Sequence, residues 1–225
     1  MNAKEAAARA AVGLVKDGMA LGLGTGTTAA YAVEALGERI KNEGLKIRGI
    51  STSESTTRQA IAMGITLTDF SADPELDMTI DGADEVDGSG CLIKGGGGAL
   101  LREKIVASAS HEMVVICDSS KMKQTLGAHA LPVAVIPFGI ETTLHQLSKI
   151  CGNLALRRSG SGMPVITDDG LYLIDMQFTS IPSPSEMESR IRQVVGVVEV
   201  GLFVGIASRA VVGYDDGHTE IIVYK

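Results

Sequence analysis

The sequence predicts an α/β protein in which helices cover both faces of a parallel sheet, followed by a smaller α+β domain. Short apolar runs alternate with amphipathic helical segments as far as Gly127, as in successive βαβ units. Beyond Gly127, several short strands surround two helices, which is typical of antiparallel pairing. We therefore predict a first domain at residues 1–127, completed by about 200–225, and a second domain at residues 128–199.

The first domain begins with an alanine-rich segment at residues 2–17, which predicts a helix with Asn2 as its cap and Gly18 as its stop. The predicted strands are MALGLG, IRGIST, ITLTDF, LDMTID and MVVICD. The predicted helices between them are TTAAYAVEALGERIKNEG, which ends at Gly44, then ESTTRQAIAMG and ALLREKIVASAS. Crossovers between parallel strands are expected to be right-handed.

The second domain is predicted from a strand at LPVAVIP, followed by helices and short strands of ordinary length. Its helices are expected near residues 139–150 and 184–195, and its further strands near 154–158, 164–167 and 171–178. The carboxyl-terminal segment contains a hairpin that turns at Asp216-Gly217. We expect this hairpin to return to the first domain.

Composition excludes several classes of protein. A net charge of −7, without a basic stripe interleaved with aromatics, disfavours nucleic acid as a partner. Lys4, Glu5 and Arg9 interrupt the amino terminus, so it lacks the apolar core of a signal peptide, and no run reaches the roughly 18 apolar residues of a membrane span. The three cysteines are widely spaced and predict buried thiols in a reducing cytosol. We expect a cytoplasmic protein that does not bind membranes.

The turn GLGTGTTAA, residues 22–30, lies at a predicted strand-to-helix junction, where backbone N–H groups can approach phosphate. Its glycines fit a dinucleotide-binding pattern, but the second strand ends in Ser51-Thr52-Ser53, without the acid that would hold a ribose. No lysine follows the glycines as in nucleotide triphosphatases. A single phosphate is favoured, and a turn that only packs a helix on the sheet is the alternative.

The stretch DGADEVD follows an apolar strand directly, and Gly82 permits a turn that brings Asp81 and Asp84 to one side. Paired carboxylates there indicate proton transfer or metal binding, but the spacing is a poor match to a calcium loop. The alternative is a solvated acidic turn, which fits Glu85 and Asp87 best.

Lys94 precedes four consecutive glycines and then the helical segment ALLREKIVAS. Ordering four glycines has a large entropic cost, so their presence is best explained if their N–H groups must approach a ligand at the start of the helix. A flexible loop is the alternative. Glu103 lies on the apolar face of that helix, where desolvation would raise its pKa towards that of a useful general base. Otherwise its side chain extends to solvent or pairs with a distant cation.

Three motifs in order, GLGTGTTAA, TIDGADEVD and IKGGGGALLREKI, closely resemble the type A ribose-5-phosphate isomerases. Further matches are DSSK at 118–121, LPVAVIP at 131–137, PVITDDG at 164–170 and GLF at 201–203. The resemblance implies a Rossmann-like domain with a smaller α+β domain. It also implies a homodimer that interconverts D-ribose 5-phosphate and D-ribulose 5-phosphate in the non-oxidative pentose phosphate pathway, without metal or organic cofactor.

Carried over by motif, the resemblance implies that Glu103 accepts the proton and that Asp81, Asp84 and Lys94 are the other catalytic residues. The implied substrate-binding residues are Thr25, Gly26, Thr27, Thr28, Asp81, Gly82, Ala83, Asp84, Lys94, Gly95, Gly96, Gly97 and Lys121. Lys4 of the first helix is a further candidate for holding the phosphate. Two positions depart from the family pattern, since Gly98 stands where alanine is frequent and Val211 where an acid is common.

These assignments lead to a mechanistic hypothesis in which Glu103 moves a proton between C2 and C1 of the sugar through an enediolate. Lys94 and loop amides would stabilise the enediolate oxygen, and Asp81 or Asp84 would shuttle hydroxyl protons and assist ring opening. Sugar-phosphate deaminases, CoA transferases and a non-catalytic sugar-phosphate sensor are the rival interpretations for related α/β folds.

Overall fold

The structure, a computed structural model, describes residues 1–224. The chain forms two compact units, the first made of Met1–Ala83, Arg102–Met122 and Gly205–Lys225, and the second of Asp84–Leu101 and Lys123–Val204. The sequence-based division differs from these units in placing residues 84–101, 123–127 and about 200–204 with the first domain. Each unit has its own apolar core, and each is described separately below.

The secondary structure follows the predicted alternation. The helices are α1 (Ala3–Val12), α2 (Thr27–Glu43), α3 (Glu54–Ala62), α4 (Leu100–Ser108), α5 (Ile140–Ser148) and α6 (Pro184–Arg192), with a single 3₁₀ turn at Ser119–Lys121. The strands are β1 (Ala20–Leu23), β2 (Arg48–Ser51), β3 (Thr66–Leu67), β4 (Leu76–Gly82), β5 (Glu85–Asp87), β6 (Leu92–Ile93), β7 (Ser110–Asp118), β8 (Met122–Lys123), β9 (Leu131–Val135), β10 (Leu154–Leu156), β11 (Tyr172–Met176), β12 (Val197–Val200), β13 (Leu202–Phe203), β14 (Arg209–Gly213) and β15 (Thr219–Val223).

The first unit is built on a seven-stranded sheet of order β15-β14-β7-β4-β1-β2-β3. All neighbours in this sheet are parallel except the β14–β15 hairpin. Ala20 and Leu21, adjacent in β1, belong to different apolar clusters, as expected for a strand that is buried on both faces. The predicted α/β class is confirmed, and β14 returns to pair with β7 as expected from the sequence.

Helix α1 is shorter than predicted. The side chain of Asn2 caps it by accepting from the Glu5 N–H at 2.9 Å, but it ends at Val12 rather than near Gly18. Arg39 explains the early end, because its Nη1 donates to the carbonyl oxygens of Val12 and Val15, each at 2.9 Å. These bonds satisfy carbonyl groups that a longer helix would have used internally. Gly18 instead lies in the turn that enters β1.

The contact between α1 and β14 depends on the absence of a side chain at Gly213. A Cβ at this position would overlap the carbonyl oxygen of Ala3, which is backbone and has no alternative rotamer. We expect Gly213→Ala to lower the free energy of unfolding by about 3 kcal/mol, because α1 must move off the sheet. Gly160→Ala is the matched control, since a Cβ at Gly160 meets nothing within 4 Å. Urea denaturation checks both, and equal stability of the two variants would contradict the packing described.

The second unit contains a four-stranded antiparallel sheet of order β10-β11-β9-β12, with α5 and α6 contributing to its core. A separate small sheet has the order β13-β6-β5-β8. Its strand β8 begins at Met122, which is the last residue of a first-unit segment. The predicted strand at 164–167 is wrong, since Pro164 and Ile166 make only isolated bridges. Proline lacks the N–H that a continuous ladder needs at this point.

Cys91, Cys117 and Cys151 are buried thiols, as predicted. Burial raises the pKa of the Cys117 thiol to about 12, so this side chain stays protonated at neutral pH and behaves as a small apolar group. Over residues 1–224, no helix combines the length and the apolar character needed to cross a bilayer.

Candidate active site

Polar residues of the first unit gather where parallel strands of its sheet end. Thr25 follows β1, Asp81 lies near the end of β4, and Lys121 closes the 3₁₀ turn that follows β7. These strands are neighbours in the order β7-β4-β1. The carboxyl edge of such a sheet is where α/β proteins place their ligands.

Asp81 is fully buried, with no exposed surface. Its Oδ1 accepts the backbone N–H groups of Thr25 at 3.1 Å and of Gly82 at 2.7 Å, so the carboxylate fixes the turn after β1. A Cβ at Gly24 would overlap Oδ1 and Cγ of Asp81. The glycine at position 24 therefore makes room for this carboxylate.

The Thr25–Thr28 turn includes the first two residues of α2, and the hydroxyl groups of Thr25 and Thr27 have different partners. The Oγ1 of Thr25 lies 2.7 Å from Thr52 Oγ1 and 2.8 Å from Ser53 Oγ, so it joins the β2–α3 loop. The Thr56 hydroxyl donates to the Gly24 carbonyl oxygen at 3.0 Å. These contacts stabilise the turn from within. In the sequence, this cluster of hydroxyl groups could have been found from the polar residues at the end of a parallel strand.

Thr27 is exposed and lies beside the amino terminus of the chain. Its Oγ1 accepts from Lys4 Nζ at 3.3 Å. Both residues line a cavity of about 420 Å³ in the first unit. The remaining lining residues are Asn2, Ala3, Tyr31, Asp118, Ser119, Ser120 and Asp215. Lys121 immediately follows three of them in the chain, Asp118, Ser119 and Ser120, so Lys4 and Lys121 supply positive charge near this cavity.

Glu103 occupies the first turns of α4 and is 3% exposed. The residues one helical turn away, Leu100 and Val106, are buried as well. The predicted apolar face is therefore confirmed, and the alternative in which Glu103 extends to solvent is wrong. The adjacent Arg102 points elsewhere and pairs with the exposed Glu54 at 3.2 Å.

In the second unit, Asp84 holds the glycine loop. Its Oδ2 accepts the Gly96 N–H at 2.8 Å, and a Cβ at Gly96 would lie 2.7 Å from Oδ1 of the same carboxylate. Gly95 and Gly98 adopt φ values of +103° and +88°, and the Gly98 N–H closes a turn on the Gly95 carbonyl oxygen at 3.0 Å. Glycine at position 98 thus suits a backbone conformation that alanine disfavours.

Lys94 is 2% exposed, which is rare for a lysine. Its N–H donates to the Gly201 carbonyl oxygen at 2.9 Å, and its Nζ lies 5.5 Å from the centroid of the Phe203 ring. A cation above a ring face is attracted by the ring quadrupole. The GLF motif at 201–203 therefore fixes both the backbone and the ammonium group of Lys94.

The prediction that Glu85 is a surface residue is wrong. Glu85 is 1% exposed, and its two carboxylate oxygens accept the N–H groups of Gly127 and His129, each at 2.7 Å. Asp87 is partly buried and caps its own turn by accepting the N–H groups of Ser89 and Cys91. The two carboxylates therefore have different partners and different burial, although they lie two residues apart in β5.

We expect Glu85→Ala to lower the free energy of unfolding by about 3 kcal/mol, because two backbone donors lose their charged acceptor. Glu34→Ala, which removes an exposed carboxylate from α2, is expected to change stability by less than about 0.5 kcal/mol. Thermal and urea unfolding of both variants provide the measurement. A Glu85→Ala protein as stable as Glu34→Ala would show that the buried carboxylate contributes nothing.

Across residues 1–224, no group of three or more His, Cys, Asp or Glu side chains is arranged to hold a metal ion.

The family model for ribose 5-phosphate isomerase A (phosphoriboisomerase A) matches residues 48–217. A ribose-5-phosphate isomerase A from Parvibaculum lavamentivorans is 49% identical over 225 residues, covering 97% of this chain and 96% of the relative. The ribose-5-phosphate isomerase A 1 of Oceanobacillus iheyensis is 48% identical over 213 residues, covering 95% of each chain.

Solved structures agree with the sequence relatives. The ribose 5-phosphate isomerase A of Methanocaldococcus jannaschii superposes with a TM-score of 0.92 at 39% identity, covering 98% of this chain and 97% of that one. A D-ribose-5-phosphate isomerase in complex with phospho-erythronic acid gives a TM-score of 0.94 at 35% identity, covering 99% and 100%. With sequence and structure matched over nearly the full length, this chain belongs to the ribose 5-phosphate isomerase A family.

Proposed function

We propose that this protein interconverts D-ribose 5-phosphate and D-ribulose 5-phosphate by moving a proton between C2 and C1 of the open-chain sugar. Family membership supports the reaction. The observation that carries the proposal is the buried carboxylate of Glu103, within the motif that begins at Lys94. A carboxylate shielded from water is suited to take a proton from carbon, because it is poorly solvated in its charged form.

In the forward direction, Glu103 removes the C2 proton of the aldehyde form. The C–H electron pair forms the C1–C2 double bond, and the carbonyl electrons move onto O1. A proton passes from O2 to O1, and Glu103 returns its proton to C1 as the carbonyl forms at C2. One base on one face of the sugar performs both transfers.

The enediolate carries negative charge on oxygen. The proposed stabilising groups are the Lys94 ammonium and N–H groups of the glycine loop other than those of Gly96 and Gly98, which already donate to Asp84 and to the Gly95 carbonyl oxygen. Lys94 is buried and held at both ends, which supports this role because a fixed charge needs little reorganisation when the enediolate forms. Four successive glycines allow the main chain to approach the sugar closely.

Asp81 or Asp84 is proposed to carry the hydroxyl protons between O1 and O2 and to assist ring opening. Both carboxylates already accept backbone N–H groups, which supports a fixed orientation for each. Proton transfer between oxygens needs an acceptor at hydrogen-bonding distance in a defined direction.

The phosphate is proposed to bind at the Thr25–Thr28 turn with Lys4 and Lys121. The exposed hydroxyl of Thr27, the nearby Lys4 ammonium and the start of α2 support this assignment. Binding energy from this non-reacting group would position C1 and C2 at the base.

The test is to incubate the protein with ribose 5-phosphate and to measure ribulose 5-phosphate by a ketopentose assay. Formation of the ketose at an unchanged rate after addition of a chelator is the expected result. Binding of ribose 5-phosphate without formation of the ketose would contradict the proposal and favour a sensor. A homodimer and a cytoplasmic location, both implied by the sequence, remain predictions.

A further inference from the structure

Arg157, between β10 and β11, connects the glycine loop to the antiparallel sheet of the second unit. Its Nη1 donates to the carbonyl oxygens of Gly95 and Gly96, each at 3.0 Å. The other edge of its guanidinium pairs with Asp175 of β11, through Nε at 2.8 Å and Nη2 at 2.5 Å. The side chain is 17% exposed, so these bonds are partly shielded from water.

The position of Arg157 is fixed along its whole length. Its N–H donates to the Leu173 carbonyl oxygen at 2.8 Å, and its own carbonyl accepts the Val165 N–H at 2.9 Å. A guanidinium presents its donors in a rigid plane, which suits two carbonyl oxygens on one side and a carboxylate on the other. Lysine cannot reproduce this geometry, because an ammonium group is a single point of charge.

The consequence for the loop is that Gly96 is held on both sides. Its N–H donates to Asp84, and its carbonyl oxygen accepts from Arg157. A run of four glycines has a large conformational entropy when unrestrained. The carbonyl groups of Gly95 and Gly96 are directed to Arg157. Because each peptide is planar, this also sets the directions of the N–H groups of Gly96 and Gly97.

We propose that Arg157, oriented by Asp175, is a positioning residue for the reaction, because it fixes the glycine loop in the orientation needed for enediolate stabilisation. This inference rests on the proposed function, in which loop amides and Lys94 act on the enediolate. Arg157 is not itself assigned a contact with the sugar. Its loss should therefore reduce turnover, while phosphate binding at the Thr25–Thr28 turn is preserved.

The experiment compares Arg157→Ala with Arg158→Ala in the full-length protein. Arg158 is the matched control, since it is the adjacent arginine, is likewise partly buried, and its side chain donates to the Gly162 carbonyl oxygen of its own loop, at 2.8 Å, rather than to the glycine loop. We expect Arg157→Ala to lower kcat by about 10²-fold, with KM and the inhibition constant of inorganic phosphate changed by less than about threefold. Arg158→Ala should keep wild-type kinetics.

Guanidinium at sub-denaturing concentration is the second readout. It should restore part of the kcat of Arg157→Ala by occupying the vacated position, whereas methylammonium should not.

Arg157→Lys covers the case in which the alanine variant does not fold, and its kcat is expected to fall at least tenfold while Arg158→Lys is unaffected. Wild-type turnover in both Arg157 variants would overturn the inference, as would a loss confined to KM and phosphate affinity. Absence of isomerisation by the wild-type protein would instead contradict the proposed function.

Discussion

Replacing Glu103 with glutamine is expected to lower kcat for ribose 5-phosphate by about 10²- to 10⁴-fold. The amide keeps the size of the side chain at this buried position but cannot accept a proton from carbon. The inhibition constant of inorganic phosphate should remain within about threefold of the wild-type value, because the proposed phosphate site is formed by other residues. Steady-state kinetics with phosphate as the inhibitor measure both quantities.

The control for this prediction is Glu54→Gln, which removes the charge of an exposed carboxylate that pairs with Arg102 on the same helix as Glu103. It should keep wild-type turnover, because surface ion pairs contribute little. Near-normal turnover of Glu103→Gln, or an equal loss in both variants, would rule out Glu103 as the base.

Asp81→Asn is the second large effect, with an expected loss of about 10²- to 10³-fold in kcat. The asparagine carbonyl can still accept the N–H groups of Thr25 and Gly82, so the turn after β1 is expected to persist. What is lost is the negative charge and the ability to carry a proton. Measurement of kcat together with thermal unfolding separates these two consequences.

Asp77→Asn is the matched control, since Asp77 lies on the same strand, is exposed, and accepts one backbone N–H, from Ala20 at 2.8 Å. Its substitution should leave kcat unchanged. If Asp81→Asn is fully active, proton shuttling belongs to Asp84 or to neither carboxylate. If Asp81→Asn loses activity only in proportion to unfolding, its role is structural.

Local periodicity predicted those features of the chain that are governed by local physics. The strand and helix alternation around β1, α2, β2 and α3 follows from apolar runs and glycine stops, and all four elements occur where expected. The burial of Glu103 was also predictable, because its neighbours at helical spacing are apolar. At these positions, the neighbouring sequence determines the environment.

Glu85 and Arg157 show why the rest could not be predicted. The acidic run around Glu85 resembles a solvated turn. The carboxylate oxygens of Glu85, however, accept backbone N–H groups that lie 42 and 44 residues away in the chain. Arg157 binds carbonyl groups 62 and 61 residues earlier in the chain. In both cases a charged side chain satisfies main-chain groups brought close only by tertiary folding, and no local pattern marks such a partner.

The most direct test of the central claim is isomerisation in deuterated water. Ribulose 5-phosphate formed by the wild-type protein is predicted to carry deuterium at one of its two C1 positions only, because a single base returns the proton to one face. Glu103→Gln should lose isomerisation and deuterium incorporation by the same factor. Deuterium distributed equally over both C1 positions, or incorporation that persists at the wild-type rate in Glu103→Gln, would contradict transfer by Glu103.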